Sequence, residues 1–181
     1  MKLKYSDNDI LSEFRRSNED GFRLLVTGYR ECLYFHIRRI VILHDDADDA
    51  LQNTFIKAWN NLRDFRSDSS LYTWLYRIAT NEALAQLKRR KRNAGIELDS
   101  IDNFFQVSGE GDTYFDGDQA EKKLRDAMLK LPDKQRLVFQ MKYFDDMPYD
   151  EISTIVGTSV GALKASYHHA VRKIEESLKD D

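Results

Sequence analysis

The chain has 181 residues, of which 41% are hydrophobic and 33% charged, with a formal net charge of −3; this suits a soluble helical protein of one ordinary domain or two small ones, and the net sign favours no class of partner. A single cysteine, Cys32, excludes an internal disulfide and a cysteine-rich zinc site. No N-terminal stretch has the layout of a signal peptide and no apolar run approaches the roughly 20 residues that span a bilayer, so a cytoplasmic protein without membrane insertion is expected.

Residues 7–16 are predicted as a short helix after a Ser6 cap, with Ile10, Leu11 and Phe14 inward. A turn at 18–21 is expected next. A long helix follows, in which Phe22, Leu25, Val26, Tyr29, Leu33, His36, Ile37 and Ile40 keep a helical repeat. On that stripe His36 reads as a satisfied core histidine and Cys32 as a buried thiol.

The next helix begins acidic at Asp45. Ala47, Leu51, Thr54, Phe55, Ala58 and Leu62 recur at three, four and seven residue steps and should be buried. Asp49, Gln52, Asn53, Ile56 and Asn60 fall on the opposite face, which is either a solvated surface or, given its isoleucine, a protein contact. A polar loop from Arg63 to Ser69 leads into a helix capped by Ser69 or Ser70, with Leu71, Trp74, Leu75, Ile78 and Ala85 as core stripe. Tyr72, Tyr76, Thr80, Ala83 and Leu87 lie on another side, and the helix ends in five consecutive bases, Lys88 to Arg92. Aromatics beside arginines suit single-stranded nucleic acid, because a ring replaces the stacking that an unpaired base has lost. Trp59 and Trp74 themselves read as core. Four helices ending near Arg92 form a first domain, 1–92.

Residues 93–118 carry seven acids and no bases after Arg92, with four glycines among them, and read as a flexible acidic linker. Its Ile101, Phe104, Phe105, Val107, Tyr114 and Phe115 suggest that it docks somewhere. In the second domain, 119–181, Leu124, Ala127, Met128 and Leu131 share a face, Pro132 opens a helix, and Leu137, Val138, Met141 and Phe144 continue the stripe. After a break at 145–148, a short helix over 149–156, a turn at Gly157 and a helix capped by Ser159 make a helix-turn-helix signature. Val160, Leu163, Tyr167, Ala170, Val171, Ile174 and Leu178 form the inner stripe of that last helix. Its outer face holds Gly161, Lys164, Ala165, His168, His169 and Arg172, small and basic residues suited to a DNA groove. The fold class expected is therefore all-α, two small helical domains joined by a linker.

The pattern DxADDxxQxxFxxAW over residues 45–59, then Phe65 and Arg66, then YTWLYRIATN and the basic helix end, resembles region 2 of bacterial sigma-70 family sigma factors of the small extracytoplasmic-function group. It departs from the family at Ala50, where leucine is usual, and at Asn53, where glutamate is common. The resemblance implies that the helix matching 46–59 docks on core RNA polymerase, with Asp46, Asp49, Gln52, Asn53 and Ile56 as contact residues. It implies that the following loop and helix capture and melt the minus-10 promoter element as single strand. There the candidates are Arg63, Arg66, Ser67, Asp68, Ser69, Tyr72, Thr73, Arg77, Lys88, Arg89 and Arg90. LPDKQRLVFQMKYFDDMPYDEI followed by the helix-turn-helix resembles sigma region 4, which reads the minus-35 element as duplex. Ser159, Gly161, Lys164, Ala165, His168, His169 and Arg172 are the candidates for that contact, and the family often has arginine where Ser166 and His169 stand. An anti-sigma factor is a further partner that the resemblance implies, and it implies no cofactor and no catalysis.

Three other readings fit parts of the chain. His44, Asp45, Asp46, Asp48 and Asp49 could be argued as a divalent-metal site of a hydrolase, although an acidic helix start has a plain explanation in the helix dipole. A stand-alone duplex-binding regulator would use only the helix-turn-helix. A sigma mimic would bind an antagonist and no DNA.

Overall fold

The computed structural model describes residues 4–93 and 119–179, and the regular structure among them is entirely helical. In chain order the elements are α1 (Asp7–Arg16), α2 (Asn18–Val41), α3 (His44–Asn61), a 3-10 turn (Leu62–Asp64), α4 (Leu71–Asn93), α5 (Gln119–Leu129), α6 (Asp133–Tyr143), α7 (Tyr149–Val156) and α8 (Val160–Lys179). The chain divides into two compact units between Gln86 and Leu87, inside α4. α4 continues through Asn93, the first residue of the predicted linker; the rest of that linker, 94–118, lies outside the described residues.

In the first unit α1 starts with a capping box: Ser6 Oγ accepts from Asp9 N at 3.2 Å and the Asp9 carboxylate accepts from Ser6 N at 3.1 Å. Ser17 then serves two helices. Its N–H donates to Glu13 O at 2.8 Å, ending α1, and its Oγ accepts from Asp20 N at 3.3 Å, starting α2. The turn predicted at 18–21 is therefore absent, because a capped start with Glu19 and Asp20 at the positive end of the helix dipole makes those residues the first turn of α2. Gly21 serves packing instead: a Cβ there would lie 2.3 Å from the Phe14 backbone, so only glycine lets α2 cross α1 this closely.

Ile10, Leu25, Tyr29, Leu33, Ile37, Ala47, Leu51, Leu71 and Leu75 form the buried centre of this unit. Each fully buried leucine or isoleucine there contributes about 1.5–3 kcal/mol relative to an exposed one. His36 is 1% exposed, as expected of a core histidine. Thr80 Oγ1 donates to Tyr76 O at 2.7 Å, so His36 Nε2, 2.9 Å from the same oxygen, must carry the proton and donate. Cys32 is buried, and its thiol donates to Tyr29 O at 3.1 Å. α4 is rotated from its predicted phase: Tyr76, Ala79, Thr80, Ala83 and Leu87 are buried, Trp74 and Ile78 only half-buried, and Ala85 exposed. That face also carries the Thr80 contact to His36 of α2, so it is the side of α4 that packs on α2.

In the second unit Ala127, Met128, Leu131, Phe139, Ala170 and Ile174 cluster, with Leu124, Tyr167 and Val171 packed on them. Pro132 stands as the N-cap residue of α6, which needs no amide proton from it. Phe144, predicted inward, is 42% exposed, and Met147 fills the interior in its place at 1% exposure. The reason is the end of α6 at Phe144, after which Asp146 takes a positive φ of 48° and Met147 N donates back to Met141 O at 3.1 Å. Gly157, at φ 69°, ends α7 in the left-handed conformation that glycine adopts without strain.

Candidate nucleic-acid interface

The outer face of α3 stands where the helical repeat puts it. Asp49, Gln52 and Asn60 are exposed, Asn53 is half-buried, and Ile56 is 51% exposed. Trp59, one turn on from Ile56, is 40% exposed and is not the core residue its size suggested. One side of its ring packs against Phe22 at 5.0 Å and Phe14 at 6.4 Å between centroids, at the edge where α1, α2 and α3 meet. A solvent-facing isoleucine beside a half-covered tryptophan is an apolar patch on an otherwise polar helix face. Asp46 differs from its neighbours, since it is half-buried and accepts a hydrogen bond from Gln86 Nε2 at 3.0 Å, tying α3 to α4. Lys57 and Glu82 form a second link between the same two helices. His44 Nδ1 lies 2.6 Å from Tyr34 Oη and its Nε2 lies 3.5 Å from Asp48, so its neighbours are a phenol and one carboxylate. Among the described residues no group of three or more histidine, cysteine or acidic side chains is placed to hold a metal ion.

The loop after α3 is tethered at three points. Leu62, in the 3-10 turn, is buried, and Phe65 packs its ring 5.2 Å from that of Trp74. At its end Ser70 Oγ accepts from Thr73 N at 3.0 Å, the side-chain cap expected of Ser69 or Ser70. A second acceptor at this helix start comes from far away in sequence: Asp7 Oδ2 accepts from Leu71 N at 2.8 Å, and its Oδ1 accepts from Tyr29 Oη at 3.0 Å. One carboxylate thus joins α1, α2 and the start of α4, and its charge suits the positive end of that helix. Nothing in the sequence near Asp7 pointed to this role, because the partner amide is 64 residues away.

Between these tethers Arg63, Arg66, Ser67 and Asp68 are exposed and Ser69 is half-buried, with Ser67 at φ 59°. Tyr72 is half-buried and packs on Tyr76, ring centroids 4.2 Å apart. Thr73 is 4% exposed and its Oγ1 lies 2.8 Å from Ser70 Oγ, so it supports the cap and presents no surface of its own. Farther along α4, Arg77, Lys88 and Arg89 are exposed while Arg90 is half-buried. Arg77 and Lys88 are separated by about three full turns and share one face.

The predicted outer face of α8 is open throughout. Ser159, Gly161, Lys164, Ala165, His168, His169 and Arg172 are all exposed, whereas Leu163, Ala170 and Ile174 are buried behind them. A Cβ added at Gly161 would meet nothing within 4 Å, so no packing inside the unit demands glycine there. Ser159 Oγ accepts from Ala162 N at 3.4 Å as the expected cap, and Arg172 Nε lies 3.3 Å from Glu176. One participant was missed: Tyr149, the first residue of α7, lies with its ring centroid 5.9 Å from Lys164 Nζ, 5.7 Å from Lys142 Nζ and 6.4 Å from the Tyr167 ring. No local pattern marks that position, since it brings together three elements.

Among the described residues no helix is long and apolar enough to cross a membrane. A family model of sigma-70 region 2 matches residues 25–93, and one of sigma-70 region 4 matches residues 121–174. Over 195 residues the chain is 31% identical to the RNA polymerase sigma-H factor of Pseudomonas aeruginosa, covering 99% of this chain and 97% of that one. It is 26% identical over 178 residues to the ECF RNA polymerase sigma factor SigW of Bacillus subtilis, covering 94% and 95%. In fold it is similar to the sigma factor RpoE of Bartonella quintana, solved with the anti-sigma factor NepR, at TM-score 0.70, 24% identity and coverage of 88% and 98%. It is similarly close to CnrH, solved with the cytosolic domain of CnrY, at TM-score 0.72, 23% identity and coverage of 97% and 98%. The chain belongs to the sigma-70 family of RNA polymerase sigma factors, in its extracytoplasmic-function group.

Proposed function

We propose that this protein binds core RNA polymerase in the cytoplasm and directs it to promoters, melting the minus-10 element with its first domain (1–92) and reading the minus-35 element with its second (119–181), residues 93–118 linking them. The observation that carries this reading is that a chain with both sigma modules, in order, leaves its expected contact faces open on α3, on the 63–69 loop and on α8.

In this reading Asp49, Gln52, Asn53 and Ile56 meet the polymerase, with Trp59 extending the apolar part of the contact and Asp46 holding α3 on α4. Arg63, Arg66, Ser67, Asp68, Ser69 and Tyr72 hold an unstacked non-template base, and Thr73 supports the end of that loop through Ser70. Arg77, Lys88, Arg89 and Arg90 follow the backbone. Ser159, Gly161, Lys164, Ala165, His168, His169 and Arg172 face the duplex. Opening the strands needs no bond-making chemistry, because capture of the unstacked state offsets a few kcal/mol per base. An anti-sigma factor that covers these faces is the natural antagonist, as the solved complexes of similar fold suggest by their composition.

Run-off transcription with purified bacterial core polymerase on genomic fragments from the source organism, with and without this protein, tests the proposal. New, specific start sites are expected, and their upstream sequences supply the promoter motif. Failure to bind core polymerase at all overturns it in favour of a duplex regulator or a sigma mimic.

A further inference from the structure

Lys164 stands on the exposed face of α8, and among the described residues no carboxylate pairs with it. Its ammonium lies 5.9 Å from the centroid of the Tyr149 ring, within the range at which an aromatic face attracts a cation. Tyr149 is itself fixed: it opens α7, its ring meets Tyr167 edge-on at 6.4 Å, and it is half-buried. Lys142 Nζ, held 3.4 Å from Asp146, lies 5.7 Å from the same ring. A lysine on a free four-carbon stem loses rotamer entropy when it meets a phosphate; one already restrained by a neighbouring ring loses less.

We propose that Tyr149 is a positioning residue for duplex binding, its ring holding the Lys164 ammonium on the side of α8 that meets the DNA backbone. The inference rests on the reading of α8 as the duplex face and adds to it a residue from the preceding helix. Burial holds the Tyr149 phenol above its usual range, with the Tyr167 contact acting the same way and Lys142 opposing, so the ring stays neutral at physiological pH.

The test is a double-mutant cycle on the full chain, read by fluorescence anisotropy on a labelled random-sequence duplex between about 50 and 200 mM salt. K164Q is expected to weaken binding and to reduce the slope of log K against log salt by about 0.9, the value of one phosphate contact. Y149L is expected to weaken binding about two- to five-fold, the range of an exposed cation–π contact, in the Lys164 background and not at all in the K164Q background. Y149F, which keeps the ring, is expected to bind as the parent does. Thermal unfolding of each variant accompanies the titrations. A Y149L penalty that persists in K164Q overturns the proposal in favour of a merely structural ring. Equal losses in Y149F and Y149L assign the effect to the hydroxyl and overturn it as well, as does a Y149L without effect. An unchanged K164Q, by contrast, refutes the reading of α8 itself.

Discussion

The two units solve the same problem of holding short helices together by different means. In the first, side-chain hydrogen bonds cross between helices at defined atoms: Asp7 to Tyr29 and Leu71, His36 to Thr80, Gln86 to Asp46, and Lys57 to Glu82. In the second, an aromatic stack of Phe139 on Tyr143 at 5.1 Å and on Tyr167 at 5.8 Å carries more of the interior, beside two buried polar side chains, Arg136 and Gln140. Apolar contact is non-directional and tolerates small shifts, whereas a hydrogen bond fixes rotation and register. In the proposed function the first unit holds a loop in one shape to receive a melted strand. There the second presents one helix face to a regular duplex, which asks less of loop geometry.

The comparison breaks first where the aromatic stack is removed. Phe139→Ala takes out the ring that touches both α6 and α8 partners, and a loss of about 3–5 kcal/mol is expected in denaturant unfolding, with the near-ultraviolet dichroism of the tyrosines lost alongside. Asp7→Ala is next, at about 2–3 kcal/mol, because it leaves a buried phenol and a helix-start amide without their acceptor. Hydrogen exchange at residues 65–73 should rise in that variant more than elsewhere, and a uniform rise would show that Asp7 does not act on the loop.

The same carboxylate sharpens the contrast through pH. Burial, then the charge and hydrogen bond of Asp7, raises the Tyr29 phenol far above its ordinary value. The unfolded chain releases that proton near pH 10 while the folded chain keeps it, so stability is fully present below about pH 10 and falls above it. Tyr29→Phe should remove that component of the alkaline decline when unfolding is followed at several pH values. Smaller effects come from the surface. Ser70→Ala should cost about 1 kcal/mol as a lost helix cap, measured by thermal unfolding. Asp49→Lys should leave stability unchanged and weaken core-polymerase binding about two- to five-fold by titration, the scale of an exposed charge. Unchanged affinity would remove Asp49 from the docking face.

Much of the first level of organisation is legible in the amino-acid sequence alone. Helices α1, α3, α7 and α8 carry their own signals, namely Ser6, Gly157 and Ser159 at their ends and stripes whose phase is set by one dominant apolar face. The exposed set on α8 and the outer face of α3 follow from those stripes. Phase is lost where two stripes compete. α4 has apolar residues on most sides, so periodicity cannot choose between Trp74 with Ile78 and Tyr76 with Thr80. Gly21 misleads for a related reason, since glycine marks a turn or a close helix crossing equally well, and only the position of Phe14 distinguishes them.

Local order in the chain therefore determined which segments are helices, where most of them stop, and which faces are polar, because caps and periodicity act within one or two turns. Only the tertiary structure decided which residues close the interior and which support the contact faces. Asp7 at Leu71, Gln86 at Asp46, Met147 in place of Phe144 and Tyr149 beside Lys164 are pairings across elements, and a pairing across elements exists only once the helices have packed.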